Sequence, residues 1–160
     1  MKTITYTTKD KTAWGPGPWQ TEPDKVQFED PDTGLPCLIV RTDMGILCGY
    51  VGVPESHPLF GKNYAEIDDV SVHGGLTFSG HSRPDDSEDS GICHLPDIGE
   101  SDKVWWLGFD CAHAGDLLPH MHVLAKNLFR SFHRNDQYRD MAFVKSQIEI
   151  LAAQLKATYS

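Results

Sequence analysis

The chain has 160 residues, 39% apolar and 23% charged, enough to bury one core without staples, so a single globular domain over 1–160 is expected. Fourteen basic against 23 acidic residues give a formal charge of −9, which argues against a broad phosphate-tracking surface and so against long nucleic acid as a partner. No apolar run is long enough to cross a bilayer and "MKTITYTTKD" carries no secretory signal, so no membrane partner and a cytoplasmic location are expected.

In chain order, "TITYTT" (3–8) is β-rich and reads as a first strand. "WGPGPW", Trp14 to Trp19, breaks regular structure with two prolines and two glycines. Val26 and Phe28 alternate as a short strand. Cys37 to Arg41 and Ile46 to Val53, joined by "TDMG", read as a hairpin. "ESHPLFGKNYAEIDD" is a long loop, after which "VSVHGGLTFSG" resumes strand character around Gly74 and Gly75. That glycine pair marks a bulge or a place where backbone comes close to another group.

"HSRPDDSEDSG", His81 to Gly91, is polar and acidic and reads as a solvated loop or lid. "ICHLP" and "KVWWLGFDC" read as two more strands. In the second, Trp105, Leu107 and Phe109 share one face, with Val104, Trp106 and Gly108 on the other, so the strand is covered on both sides. "AHAGDLLPHMHVLAKNLFRSFHRND" allows one or two short helices. From Asn135 as cap, Met141, Val144, Ile148, Leu151 and Leu155 form the stripe of a long amphipathic helix. The class is therefore α+β, a mainly antiparallel sheet with a long C-terminal amphipathic helix. A homo-oligomer through that stripe is one way to bury it.

The chemistry-bearing residues cluster in two stretches. Asp110, His113 and Asp116 stand three apart in "DCAHAGD", a spacing that can serve a divalent metal, with His73 or His81 as further ligands. The bland alternative gives both aspartates to capping the turn after the strand, with His113 as a partner. In "VHGGLTFSGH", His73 beside Gly74 and Gly75 can sit where backbone N–H groups converge, an arrangement that receives an anion, although no phosphate-loop motif is present. Trp105 or Trp106 would add a stacking surface, one tryptophan to each face of the strand.

Cationic candidates for a phosphate are Arg41, Lys62, Arg83, Arg130, Arg134 and Arg139. Arg139 sits where a helix dipole disfavours it unless an anion lies near, and a salt bridge to Asp136 or Asp140 is the simpler explanation. His120 and His122 share a face only if extended. Cys37, Cys48, Cys93 and Cys111 are scattered and read as free, mostly buried thiols; no nucleophilic motif surrounds Cys111.

Together "CLIVR…GILCGYVGVPESHPLFGK", "VSVHGGLTFSG", "WWLGFDCAHAGD" and "YRDMAFVKSQIEILAAQL" resemble an uncharacterised family of small phage and bacterial hypothetical proteins. The resemblance implies a context, immune evasion by sequestering a nucleotide-like signal, and no defined chemistry. The expectation is a small-ligand-binding protein whose polar or nucleotide-like ligand meets His73, Gly74, Gly75, Trp105, Trp106, Asp110 and His113. It requires no cofactor. The alternatives are a metal-dependent hydrolase using Asp110, His113 and Asp116, and, more weakly, an acidic decoy for a protein partner.

Overall fold

The structure is a computed structural model that describes residues 1–83, 86–128 and 135–159. Six strands form one antiparallel sheet: β1 (Ile4–Tyr6), β2 (Lys25–Glu29), β3 (Pro36–Arg41), β4 (Leu47–Pro54), β5 (Phe78–His81) and β6 (Val104–Asp110), in the order β1-β2-β3-β4-β6-β5. Two helices follow, α1 (Pro119–Leu128) and α2 (Met141–Tyr159). The α+β class read from the sequence is the architecture found. No helix among the described residues is long and apolar enough to cross a membrane.

The sheet has two packed faces because its central strands are apolar at odd and even positions alike. Val51 pairs with Leu107 and Gly49 with Phe109, and this face, with Cys37, Ile39 and Leu47, is covered by Val144, Ile148, Leu151 and Leu155 of α2. The α2 stripe is thus buried against the chain's own sheet and is no surface for a second copy. On the opposite face Leu38, Val40, Cys48, Tyr50 and Trp106 form a second cluster, with Phe78, Ile92 and Leu118 packed against it. Glycine makes room where the large rings lie: a Cβ on Gly108 would stand 2.4 Å from Tyr50 Cδ1, and one on Gly52 2.3 Å from Val104 Cγ1.

The acidic segment after β5 covers this second face and is anchored to it. Lys25, itself buried, donates from Nζ to the carbonyls of Glu88 (2.6 Å) and Cys93 (2.9 Å), and Gln27 exchanges two hydrogen bonds with the Leu95 backbone. The described part of this expected free loop is therefore a tethered cover. "ICHLP" is not a strand; its backbone polar groups at Cys93 and Leu95 go to side chains of β2.

Two further boundaries differ from expectation. His73 to Gly75 lie in a turn, with Gly74 and Gly75 at φ of 69° and 79°, and the strand after them spans only Phe78–His81. The last helix starts at Met141, not after Asn135. Asp140 Oδ1 accepts the Phe143 N–H at 2.8 Å and Glu22 Oε2 accepts the Met141 N–H at 2.7 Å, so the orphan donors of the first turn are met there.

Glu22 also accepts from Tyr138 Oη, and Arg41 donates to Asp24, Tyr138 and Glu22. Arg41, taken as a candidate for phosphate, is buried in this network and spent on structure. Hydrogen bonds from Lys11, the Lys9 and Thr8 backbone and Arg41 outweigh the burial of Asp24 and hold its carboxyl below the ordinary range. All four cysteines are buried and free; burial pushes the Cys48 thiol up to about 12.

Candidate functional site

The site forms where β6 ends. Asp110 Oδ1 accepts the Ala112 N–H at 3.0 Å and turns the chain, and Asp116 Oδ2 accepts the His113 N–H at 3.1 Å and closes the next turn, with Gly115 at φ 91°. The residues leading into α2 then pair with this turn: Leu117 N–H donates to Gln137 O and Gln137 N–H to Gly115 O. Both aspartates do cap, as their spacing allowed, and capping is only part of what they do.

The turn containing His73 is clipped to α2. Its backbone N–H donates to Gln147 Oε1 at 3.0 Å, and Gln154 accepts from Ser71 N–H (2.8 Å) and donates to Ser71 O (2.7 Å). That fixes the His73 ring over Asp116, with Nε2 2.9 Å from Oδ2 and 3.1 Å from Oδ1. Arg139 donates from Nε to Asp116 Oδ1 at 2.8 Å, its guanidinium lying 4.8 Å from the Phe143 ring centre. The anion that a cation at this helix end calls for is Asp116, 23 residues away in sequence.

Asp116 is the hub, its side chain 1% exposed. Burial alone would raise its pKa. The Arg139 guanidinium, His73 and the His113 N–H outweigh that and hold the carboxyl below the ordinary range, so it stays ionised at neutral pH.

His113 completes the group. Its ring centre lies 5.8 Å from that of His73, and the ring packs on the Gly74 backbone so closely that a Cβ there would stand 2.0 Å from His113 Nε2. This is the close approach that the glycine pair foreshadowed. His113 Nε2 lies 3.2 Å from Asp110 Oδ1, within ion-pair reach; that nitrogen is buried and the alignment is too poor for a hydrogen bond.

Beside these residues runs a cleft of about 370 Å³ between the β6 exit turn and α1. His113, Ala114 and Asp116 line one wall, Met121 and His122 another, and Asp136 the end. A larger hollow of about 450 Å³ around His94 shares no lining residue with it. Phe143, Gln147 and the α1 wall were not singled out from the sequence, because nothing local marks a helix face that meets a loop some 70 residues away.

Both tryptophans lie elsewhere. Trp106 is fully buried in the second core, its indole N–H without an acceptor among the described residues and its ring edge-on to His94. Trp105 sits near the start of β6, five residues or roughly 16 Å from Asp110 at ~3.3 Å per strand residue, with its Nε1 donating to Lys62 O. Its ring packs against Phe60 and His81. Neither stacks beside His73, and His81 does not join the Asp110 group. Arg83 lies 6.0 Å from the Phe78 ring centre, and Arg130 and Arg134 fall outside the described residues.

The metal reading does not fit these side chains. Asp116, one of three supposed ligands with Asp110 and His113, already carries Arg139 and His73 on its oxygens, and a guanidinium at 2.8 Å opposes a second cation there. Among the described residues no three His, Cys, Asp or Glu side chains converge in a way that could hold a metal ion. His120 and His122 stand two apart on α1 and so diverge; His122 alone borders the cleft. No family model, curated protein or solved structure matches the chain.

Proposed function

We propose that the chain binds a small polar ligand in the cleft between the β6 exit turn and α1. His113 and Asp116 form its polar wall, and Asp110 and Gly74 fix His113. His73 and Arg139 hold Asp116 ionised. The observation that carries this reading is the convergence of three segments of the chain on one buried carboxylate beside an open cleft. A buried charge is tolerated only when fully satisfied, and here the donors are a guanidinium, an imidazole and a backbone N–H.

The lining also says what kind of ligand fits. Two carboxylates and two imidazoles border the hollow, with Met121 and alanines between them, which favours a molecule that donates hydrogen bonds over one led by phosphate. Sequestration of a nucleotide-like signal is the narrower form of this proposal. It would depend on hydrogen bonds to the sugar or base edge, since the tryptophans that would stack a base lie away from the cleft.

Titration calorimetry with a panel of nucleosides, sugars, amines, cyclic nucleotides and ADP-ribose-type compounds tests the proposal. The expected result is binding by at least one class, weakened at least tenfold by His113→Ala and left intact by Trp105→Phe. Silence across the panel, or binding indifferent to His113→Ala, would overturn it.

A further inference from the structure

We propose that Lys25 and Cys93 are a modification site, at which hydrogen peroxide joins the lysine nitrogen to the cysteine sulfur and so ties the acidic cover covalently to β2. The inference concerns the second face of the sheet and is independent of the ligand cleft. Lys25 Nζ stands 3.7 Å from Cys93 Sγ, and its other N–H donors go to Glu88 O at 2.6 Å and Cys93 O at 2.9 Å. Three acceptors thus converge on the amine of a residue only 1% exposed, and the sulfur is one of them. The sulfur also lies 3.6 Å from Ser87 O and 4.0 Å from Asp86 O, which fixes it within the cover.

A thiol that reacts with peroxide needs a cation beside it and a path for the oxidant. Lys25 supplies the first. The path is the hollow of about 450 Å³ that Cys93 lines with His94 and four acidic residues, Asp86, Glu88, Glu100 and Asp102. That wall selects the oxidant: hydrogen peroxide is small and uncharged, whereas glutathione disulfide and other anions meet like charge. Among the described residues Cys93 is the thiol with an amine in hydrogen-bond reach. Cys37 turns its thiol to Leu35 O, and burial pushes the thiols of Cys37, Cys48 and Cys111 up, away from the reactive thiolate.

In the first step the Cys93 thiolate attacks one peroxide oxygen, the O–O bond breaks, and the departing hydroxide takes a proton from the Lys25 ammonium. Cys93 becomes a sulfenic acid, Lys25 a neutral amine, and one water forms. In the second step the amine attacks the sulfur, the S–O bond breaks, and hydroxide leaves with an amine proton as a second water. The product is a sulfenamide, an N–S bond; sulfur loses two electrons and one peroxide is reduced to two waters. Burial is the largest influence on Lys25 and draws its pKa below the ordinary lysine range, which favours the neutral amine that the second step uses. The linked residues are 68 apart in sequence, so the bond closes a long loop that only hydrogen bonds hold in the reduced chain.

The test exposes the full reduced chain to hydrogen peroxide and reads the intact mass, then a tryptic map made without reductant. The expected mass is that of the reduced chain less two hydrogens, with the Lys25 and Cys93 peptides joined and no cleavage after Lys25. Dithiothreitol should reverse the link, and the linked chain should unfold at a higher urea concentration than the reduced one. Lys25→Arg, whose guanidinium stays protonated, should abolish the link and leave a Cys93 sulfenic acid that dimedone captures, whereas Cys48→Ser should form the link as the wild type does. A disulfide that accounts for the lost hydrogens, Cys93 carried to the sulfinic acid with Lys25 free, or a Cys93 that peroxide leaves intact would each overturn the inference. The map of the unaltered protein decides the matter should a variant fail to fold.

Discussion

Replacing Gly74 by alanine separates the site's geometry from the fold's general stability. Gly74 and Gly75 are adjacent and both left-handed, at φ of 69° and 79°, so alanine at either pays the same backbone strain of about 1–2 kcal/mol. They differ in surroundings. A Cβ on Gly75 meets nothing within 4 Å, whereas one on Gly74 would stand 2.0 Å from His113 Nε2 and 2.1 Å from its Cδ2. Ordinary contact is about 3.5–4.0 Å, so the His113 ring must retreat by roughly 1.5 Å, away from Asp110 or into the cleft. Overpacking of that kind costs about 1–3 kcal/mol beyond the strain. In denaturant melts, Gly75→Ala should lose about 1–2 kcal/mol and Gly74→Ala about 2–5. In a His113→Ala background the excess should vanish, leaving the two glycine substitutions equal. Equal losses in the wild-type background, or an excess that survives removal of His113, would refute the claim that Gly74 is there for the imidazole.

Other outcomes follow from the same contacts. Because the Asp116 pKa is depressed in the folded state, its contribution to stability is full above the unfolded value of about 4 and is lost as pH falls through the folded one. Thermal melts of the wild type should therefore drop below about pH 4, and Asp116→Asn, less stable by about 1–3 kcal/mol at neutral pH, should show a shallower decline over that window. Trp106→Ala should cost about 3–5 kcal/mol in chemical denaturation while any surviving folded protein binds cleft ligands as before, because the indole lies in the second core. Gly108→Ala drives a methyl to 2.4 Å from Tyr50 Cδ1 and should lose about 1–3 kcal/mol in the same assay, with the Tyr50–Phe78 contact disturbed in aromatic NMR shifts.

What the sequence disclosed depended on whether the cause was local. The hairpin of β3 and β4 was legible because β-branched runs flank a short polar turn, and the α2 stripe because apolar residues recur at steps of three and four. The α2 start was misplaced by five residues: Asn135 has cap chemistry, but Asp140 and, from far away, Glu22 hold the first-turn donors. Val26 and Phe28 marked a short strand, but nothing local marked Lys25 and Gln27 as buried, because their partners are carbonyls and an amide 63 to 68 residues on. Alternation put Trp105 and Trp106 on opposite faces, but periodicity contains no information about which end of β6 faces a cleft.

The meeting of His73 with His113 was foreshadowed by the glycines, whereas the role of Asp116 emerges only in three dimensions. Its partners come from residues 73, 113 and 139, so no spacing rule connects them. That dispersion has a consequence for how the site is built. Asp116 can be ionised and dry only when the loop after β4, the turn after β6 and the start of α2 are all in place. Arg139 and His73 hold that carboxylate ionised across those segments. A ligand that engages Asp116 or His113 in the cleft should therefore raise the resistance of all three segments to hydrogen exchange together, by an amount set by its concentration relative to Kd. Protection confined to the turn after β6 would show that the three segments are not energetically joined through this carboxylate.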